Sequence, residues 1–417
     1  MSNRRLLIAF ISIGKDKDLM PESTDVIVIG AGPSGLISAK SIAKRGFQVT
    51  VLEEHAEVGL PSHCAGLVSV DGLSQIDIEP NSSFIQNRVK NARFHSPSNL
   101  TFEVRARRDI AYVIDRSRFD QYLARQAIGN GVKLILGRSA KTLNRSEGVI
   151  RGIVDDRECT LEALITIDAE GAGGRLLAKS GLKPVDEKHI LPAFQYELID
   201  IEVEEESVDL FFGRRYAPNF FAWVVPTGSD SARVGLASNE GNIRQLLDKF
   251  VDENFHTSTK ADKRAGLIIT GGPIPKTCLH GFMAVGDVAG QTKPTTGGGV
   301  VTGGICASVA ARAAVSALEK HDASLKFLCD SYEVEWRKLL ANEFSTMIIA
   351  RRIYNILADS TLDELFKIVL KENLTAEIAA SGDMDFQSSI LVKLAKKPSV
   401  MKILPMVVGD LAKAFLS

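Results

Sequence analysis

The feature that most constrains this chain is a glycine spacing set between two apolar runs near its start. Asp25 to Gly30 (DVIVIG) is short and continuously apolar, the pattern of a parallel strand buried on both faces. Gly30-Ala-Gly32-Pro33-Ser34-Gly35 follows, and Leu36 to Arg45 then places its apolar residues at helical spacing, closed by Gly46. Gln48 to Leu52 reads as a second strand that ends at Glu53 and Glu54. Strand, glycine turn, helix and strand make a βαβ unit. In such a unit Gly30 permits the tight turn, Gly32 lets a pyrophosphate approach the backbone, and Gly35 lets helix and strand pack closely. The helix start offers free N–H groups and a positive dipole end to phosphate. Glu53 lies 18 residues past Gly35, where a carboxylate accepts the hydroxyls of an adenosine ribose. The spacing predicts a dinucleotide site.

Further along, Ser117 to Ala127 reads as a helix, Val132 to Leu136 as a third strand and Leu164 to Asp168 as another. Strand character also marks Phe94 to Tyr112, Ala193 to Ile201, Val208 to Phe212, Phe220 to Val225 and Ala232 to Ala237. Phe282 to Val285 is apolar again, and a glycine-rich stretch leads into an alanine-rich helix from Ala307 to Leu318. From about Ala323 the pattern is helical to the end. The expected class is α/β (α+β). A discontinuous Rossmann-like domain takes residues 24–92, 113–187 and 268–320, with an antiparallel β-sheet domain (93–112 and 188–267) inserted. A C-terminal helical region spans 321–417.

Composition narrows the function. Hydrophobic residues are 45% and charged residues 24% of 417, enough for a sizeable core. Lys+Arg 50 against Asp+Glu 51 leaves a net charge of −1, which disfavours a chain-wide grip on nucleic acid. Cys64, Cys159, Cys278, Cys306 and Cys329 form no CxxC pair, so zinc-finger and ferredoxin-type spacings are excluded, no metal is expected, and a reducing cytoplasm is suited. No apolar run is expected to reach the ~20 residues that a membrane-spanning helix needs. Leu6 to Ile13 follows Arg4 and Arg5 like a short signal core, but the following Lys15-Asp16-Lys17-Asp18 argues against secretion. Met20 is the expected start, five residues before the first strand.

The choice of dinucleotide rests on later motifs. Val285-Gly286-Asp287, followed by Pro294-Thr-Thr-Gly297-Gly298-Gly299 and a helix from Val300, resembles the second fingerprint of FAD enzymes. That resemblance implies that Asp287 holds a ribityl hydroxyl and that the helix start faces the flavin's pyrimidine edge. Asp168-Ala-Glu-Gly171, with Arg175 nearby, resembles the third fingerprint of the same enzymes. With Arg116-Ser-Arg-Phe119-Asp120, these elements are similar to the p-hydroxybenzoate hydroxylase-like flavoproteins, in which an Arg at the place of Arg116 contacts the cofactor. FAD is the expected cofactor.

A narrower resemblance follows. Gly59-Leu-Pro61-Ser-His63-Cys64-Ala65-Gly66-Leu-Val-Ser69, Ser96-Pro97, Tyr112-Val-Ile-Asp115-Arg116, Pro218-x-x-Phe221-x-Trp223-x-x-Pro226, the Lys293 to Gly299 run and Gly382-Asp383-Met384-Asp385 are similar to the geranylgeranyl reductase family. The similarity covers nearly all the chain from about residue 24. It implies saturation of isoprenoid double bonds in geranylgeranyl groups, most closely those of archaeal-type glycerol ether lipids, by hydride from flavin N5 plus a proton. It also implies a site role for Cys64 beside the flavin. The aromatic box departs from the family's PxxYxWxFPK: Phe221, Val225 and Thr227 stand where Tyr, Phe and Lys are usual, which removes a hydroxyl and a cation.

An isolated alkene has no carbonyl to accept charge, so protonation toward a tertiary cation coupled to hydride delivery is the sensible route. A dry pocket walled by Phe220, Phe221, Trp223 and Pro226 suits it, because aromatic faces attract cations and residues 221 and 223 share a strand face. Cys64, His63, Phe221 and Trp223 are the candidate catalytic residues, His63 as an acid that titrates near neutrality. The tail from Phe386 holds Lys393, Lys396, Lys397, Lys402 and Lys413 against Asp410, among many apolar residues. A peripheral position on the inner face of the cell membrane is expected from it. No second GxGxxG is evident, so the electron donor is expected to be external, a ferredoxin-like protein or reduced nicotinamide. Two alternatives remain on the same motifs: a flavin monooxygenase or halogenase, and a non-catalytic electron-transfer or lipid-binding flavoprotein.

Overall fold

In the computed structural model, residues 22–416 are described, with side-chain surroundings through Lys413. The expected start at Met20 and the early apolar run lie outside the described residues. Val26–Ile29 pairs in parallel with Val49–Glu53 on one side and Ile165–Asp168 on the other. Lys133–Leu136 extends the first side, while Phe282–Ala284 and then the short antiparallel Cys278–Leu279 extend the second, giving six strands. Val26, Ile27 and Val28 are wholly buried, which is why this strand reads as an unbroken apolar run. Helices Pro33–Ala43, Arg116–Gly129 and Val300–Lys320 pack on the sheet in one core.

The alanine-rich helix is longer than its sequence pattern announced, running from Val300 directly after the glycine loop. By length and composition it could cross a membrane, but Ala307, Ala310, Ala311 and Ala314 are buried against the nucleotide-binding half.

The second large sheet has seven strands in the order Thr259–Ile269, Ile190–Ile199, Ser231–Ala237, Phe221–Gly228, Ser207–Phe212, Asn91–His95, Thr101–Arg105. It departs from the antiparallel expectation at one seam: Ser207–Phe212 runs parallel to Asn91–His95. Ala111–Ile114, expected in this block, pairs instead with Leu67–Ser69 and Ile85–Val89 in a three-stranded sheet. The chain turns back there because Ile110 N–H donates to the Val89 carbonyl at 2.8 Å. A further meander, Ala140–Ser146, Val149–Asp155 and Thr160–Glu162, was not anticipated. Its first turn is Glu147-Gly148, both at positive φ (51° and 79°), the conformation a two-residue hairpin requires.

From Leu325 the chain is mainly helical to Leu416. Val334–Ile356 sets Trp336, Leu340, Phe344 and Met347 into the core of the nucleotide-binding half.

Candidate active site

The glycine turn is built by close approach. A Cβ on Gly35 would lie 2.1 Å from the Gly30 carbonyl oxygen, so only glycine lets this helix start against the strand. At Gly32 a Cβ would meet nothing within 4 Å: the turn faces open space. Pro33 opens the helix, no side chain caps it, and the free N–H groups beyond it, including those of Ser34 and Gly35, point toward that space. Glu53 locks the turn. Its Oε2 accepts Ala31 N–H at 2.8 Å, and its Oε1 accepts His55 N–H at 3.0 Å with the His55 ring nitrogen at 2.6 Å. Glu54 instead pairs with Arg175 at the surface, 2.9 Å away.

Two more carboxylates end strands of the same sheet. Asp168 is fully buried; its Oδ1 accepts Glu170 N–H at 3.1 Å, while Oδ2 has no partner among the described residues. Burial, with Glu170 beside it, pushes its carboxyl well above the usual range. Gly171 follows in a short turn, and Glu170 caps the next helix by accepting from Leu176 and Leu177. Asp287 makes no side-chain hydrogen bond among the described residues, and burial holds it above the usual range, with Arg116 opposing. Arg116 forks onto Asp120 at 3.2 and 3.0 Å. Burial works against its cation, and Asp120 and the Cys64 thiol more than offset that.

An uncapped helix start facing open space, an orphaned buried carboxylate oxygen and an unpaired Asp287 are what a dinucleotide's phosphates and hydroxyls would satisfy. The residues fit FAD.

The late glycine loop is clamped from the C-terminal region. Pro294 to Gly299 leads into an uncapped helix start at Val300. Lys293 Nζ donates to Asp385 at 2.7 Å and to the Met384 carbonyl at 2.8 Å, and Thr295 donates to Gln387 at 2.7 Å. Around this loop a Cβ on Gly298 would press on Lys293, one on Gly299 on Asp287, and one on Gly297 on Ile268. The two motifs singled out separately in the sequence therefore meet.

The loop carrying Cys64 crosses to the seven-stranded sheet. Cys64 Sγ accepts Gly66 N–H at 3.3 Å, and its carbonyl accepts Gln195 Nε2 at 3.2 Å. His63 is partly exposed, yet desolvation where it packs on the 259–269 strand holds its imidazole below the usual value. Sequence reasoning missed Arg233. Its buried guanidinium donates to the Ala65 and Ile114 carbonyls, both at 2.9 Å, to Gln86 and to Glu197. An arginine inside the apolar run Ala232 to Ala237 was the available signal.

Above this loop lies the aromatic face. Phe221 and Trp223 meet edge to face at 6.3 Å, and they share a cluster with Val225, Ala65, Leu67 and Ile268. Trp223 sits opposite Gly235, where a Cβ would come within 2.6 Å of its indole. Its Nε1 is buried without an acceptor among the described residues. Phe220 stacks on Phe221 at 4.2 Å and is fully buried. Pro226 does not join this wall: strand alternation puts it with Ala222 and Val224 on the other face, and its carbonyl accepts from Asn87. The wall is extended by residues the sequence gave no reason to group. Phe212 lies 5.7 Å from Phe221, Tyr354 and Phe366 lie 5.9 and 6.2 Å from Phe212, and Phe94 stacks on Phe102 at 4.9 Å.

Fold and site together define an FAD-dependent oxidoreductase with a Rossmann-type nucleotide half and an aromatic-walled sheet. Residues 25–185 match the family described as FAD dependent oxidoreductase, and residues 189–271 match the geranylgeranyl reductase catalytic domain. The digeranylgeranylglycerophospholipid reductase 2 of Methanothermobacter thermautotrophicus is 30% identical over 392 residues, covering 91% of this chain and 98% of the relative. A protein of the same name from Methanopyrus kandleri is 28% identical over 396 residues, with coverage of 91% and 98%. The crystal structure of a geranylgeranyl bacteriochlorophyll reductase-like protein from Thermoplasma acidophilum superposes with a TM-score of 0.84 at 26% identity, covering 92% of this chain and 99% of that one. A flavin-dependent brominase, at 15% identity and a TM-score of 0.69 over 90% and 98% of the two chains, shares the fold alone. This chain belongs to the geranylgeranyl reductase family.

Proposed function

We propose that the protein saturates carbon–carbon double bonds in the geranylgeranyl groups of archaeal-type glycerol ether lipids. The observation that carries this reading is the packing of Phe221, Trp223 and Val225 against the Ala65–Leu67 side of the nucleotide half, an apolar wall where a prenyl chain can lie. FAD, when bound and reduced, supplies the hydride. The rest falls to this chain. Trp223 and Phe221 turn aromatic faces toward the positive charge that protonation of an alkene creates, and the wall excludes water. Cys64, with Gly66 N–H on its sulfur and Arg116 beside it, is the proposed proton carrier. His63, held below the usual imidazole value, is neutral at neutral pH and is the weaker acid candidate. Gly30, Gly32, Gly35, Glu53, Arg116, Asp168, Asp287 and the 294–299 loop are the proposed cofactor contacts. In the same reading 24–92, 113–187 and 268–320 form the FAD-binding unit, 93–112 and 188–267 the substrate sheet, and 321–417 the helical cover.

The proposed setting is the inner face of the cell membrane. Val392, Met401, Leu404, Val408 and Leu411 are exposed apolar residues, and Lys396, Lys402 and Lys413 lie exposed among them. Asp410, the tail's one acid, is buried as a cap on Ala358 N–H and Thr361. Lys393 and Lys397 are tied to Glu377. A lipid surface suits such a face, and electrons would come from a ferredoxin-like protein or reduced nicotinamide.

Anaerobic incubation of the dithionite-reduced protein with digeranylgeranyl lipid, read by mass spectrometry, tests the activity. A gain of about two mass units per reduced bond is expected. A product formed only with oxygen would instead identify a monooxygenase or halogenase.

A further inference from the structure

Arg351 is buried against the aromatic cluster, and among the described residues no acid pairs with it. It projects from the Val334–Ile356 helix with 6% of its surface exposed. Its guanidinium carbon lies 4.8 Å from the centroid of Phe220, the ring stacked on Phe221, and 5.7 Å from that of Tyr354. One nitrogen, Nη2, donates to the Asn219 carbonyl. Nε is buried with no acceptor among the described residues, and no carboxylate pairs with the group. Burial draws its pKa down to about 10.

The surroundings add positive charge rather than cancel it. Arg351, Arg352 and Lys188 all disfavour protonation of His189, whose imidazole is lowered first by burial. Arg214 and Arg351 both act on Tyr354. Of the nearby acids, Asp186 pairs with Lys188, Asp359 accepts Arg214 N–H and Glu253 holds Arg215, while Glu240 meets Arg351 only through Asn219, whose Nδ2 donates to it at 2.7 Å. A buried cation without a counter-charge is costly, and a planar fork with open donors is matched to an oxyanion.

We propose that Arg351 forms a subsite for the phosphate attached to the prenyl lipid, anchoring the head of the substrate while its chain lies along the Phe220–Phe221–Trp223 wall. The subsite rests on the prenyl-reductase reading and adds to it the group that holds the head of the substrate. Phosphate is favoured over carboxylate because the lipid of the proposed reading carries one, and its oxygens can accept from Nε on the edge it shares with Nη2, the edge by which Arg116 forks onto Asp120.

The test compares geranylgeranyl phosphate with geranylgeraniol, binding being followed by tryptophan fluorescence of the intact FAD-loaded protein. The wild type should bind the phosphate at least about tenfold more tightly than the alcohol. Arg351→Gln should erase that preference while leaving affinity for the alcohol within about twofold, and Arg351→Lys, which keeps the charge, should retain part of it. Equal weakening toward both ligands would show that Arg351 merely holds the Asn219 turn and would overturn the subsite. Inorganic phosphate binding as tightly as the prenyl phosphate would overturn its assignment to a lipid head. Equal wild-type affinity for alcohol and phosphate removes the subsite and leaves the reductase reading standing; binding of neither removes both.

Discussion

Along the Phe221–Gly228 strand, Ala222 and Val224 face one way and Phe221, Trp223 and Val225 the other, and the two faces are built on different terms. The even face is closed by the Ile243–Asn254 helix, which sets Leu247, Phe250 and Val251 into a cluster with Ala222, Val224 and Leu236. Its polar edge is satisfied: Tyr196 donates to Asp248 at 2.8 Å. On the odd face, Trp223 keeps a buried N–H with no acceptor among the described residues, and Arg351, over the adjoining Phe220, pairs with no acid among them. One face is a fully satisfied core, and the other gathers the unsatisfied groups against which the ligand is proposed to lie. Sites where local rules are broken while the rest of the fold obeys them are where function is expected.

That contrast can be broken by substitution. Phe250 is fully buried and meets Phe211, Tyr216 and Phe255 edge to face. Phe250→Ala should cost about 3–5 kcal/mol in chemical denaturation, with alkene turnover per folded molecule unchanged. A parallel loss of turnover would mean that the two faces are not separable. Gly235→Ala should cost less, about 1–3 kcal/mol, because the new methyl must displace the Trp223 indole or the Gln195 stem. Its turnover should nevertheless fall further than that of Phe250→Ala, and a Gly235→Ala enzyme with full activity would sink the assignment of the odd face.

The smallest effect concerns pH. His63 and His189 both have lowered values, in each case chiefly from burial. Unfolded imidazoles take up protons near pH 6.5 while the folded ones resist, so their effect is to lower stability as pH falls through that range; above it both states are neutral. Melting temperatures of wild type and the His63→Gln, His189→Gln double variant, compared at pH 7.5 and 5.5, should show a smaller acid-side loss in the variant. Equal losses would dissociate these histidines from the acid response.

How far the sequence led depended on distance along the chain. The Gly30–Gly35 turn, Glu53 and the face shared by Phe221 and Trp223 are set by spacings within one βαβ unit or one strand, so periodicity exposes them. Lys293 and Asp385 were each noticed, but their ion pair spans the helical region and has no local signature. Phe94, Phe102, Phe212 and Phe366 form one aromatic surface only because the 91–95 strand pairs with 207–212 and the 359–371 helix packs over them. Pro226 was misplaced for the opposite reason: it belongs to the aromatic motif in sequence, yet alternation turns it to the other face.

The central claim is that the odd face of this strand stabilises charge on the substrate, and two half-reactions measured anaerobically test it directly. In Trp223→Leu, reduction of the bound flavin by dithionite should keep its wild-type rate, while reoxidation by a geranylgeranyl lipid should slow about tenfold or more. Equal slowing of both steps, or of neither, would contradict the account.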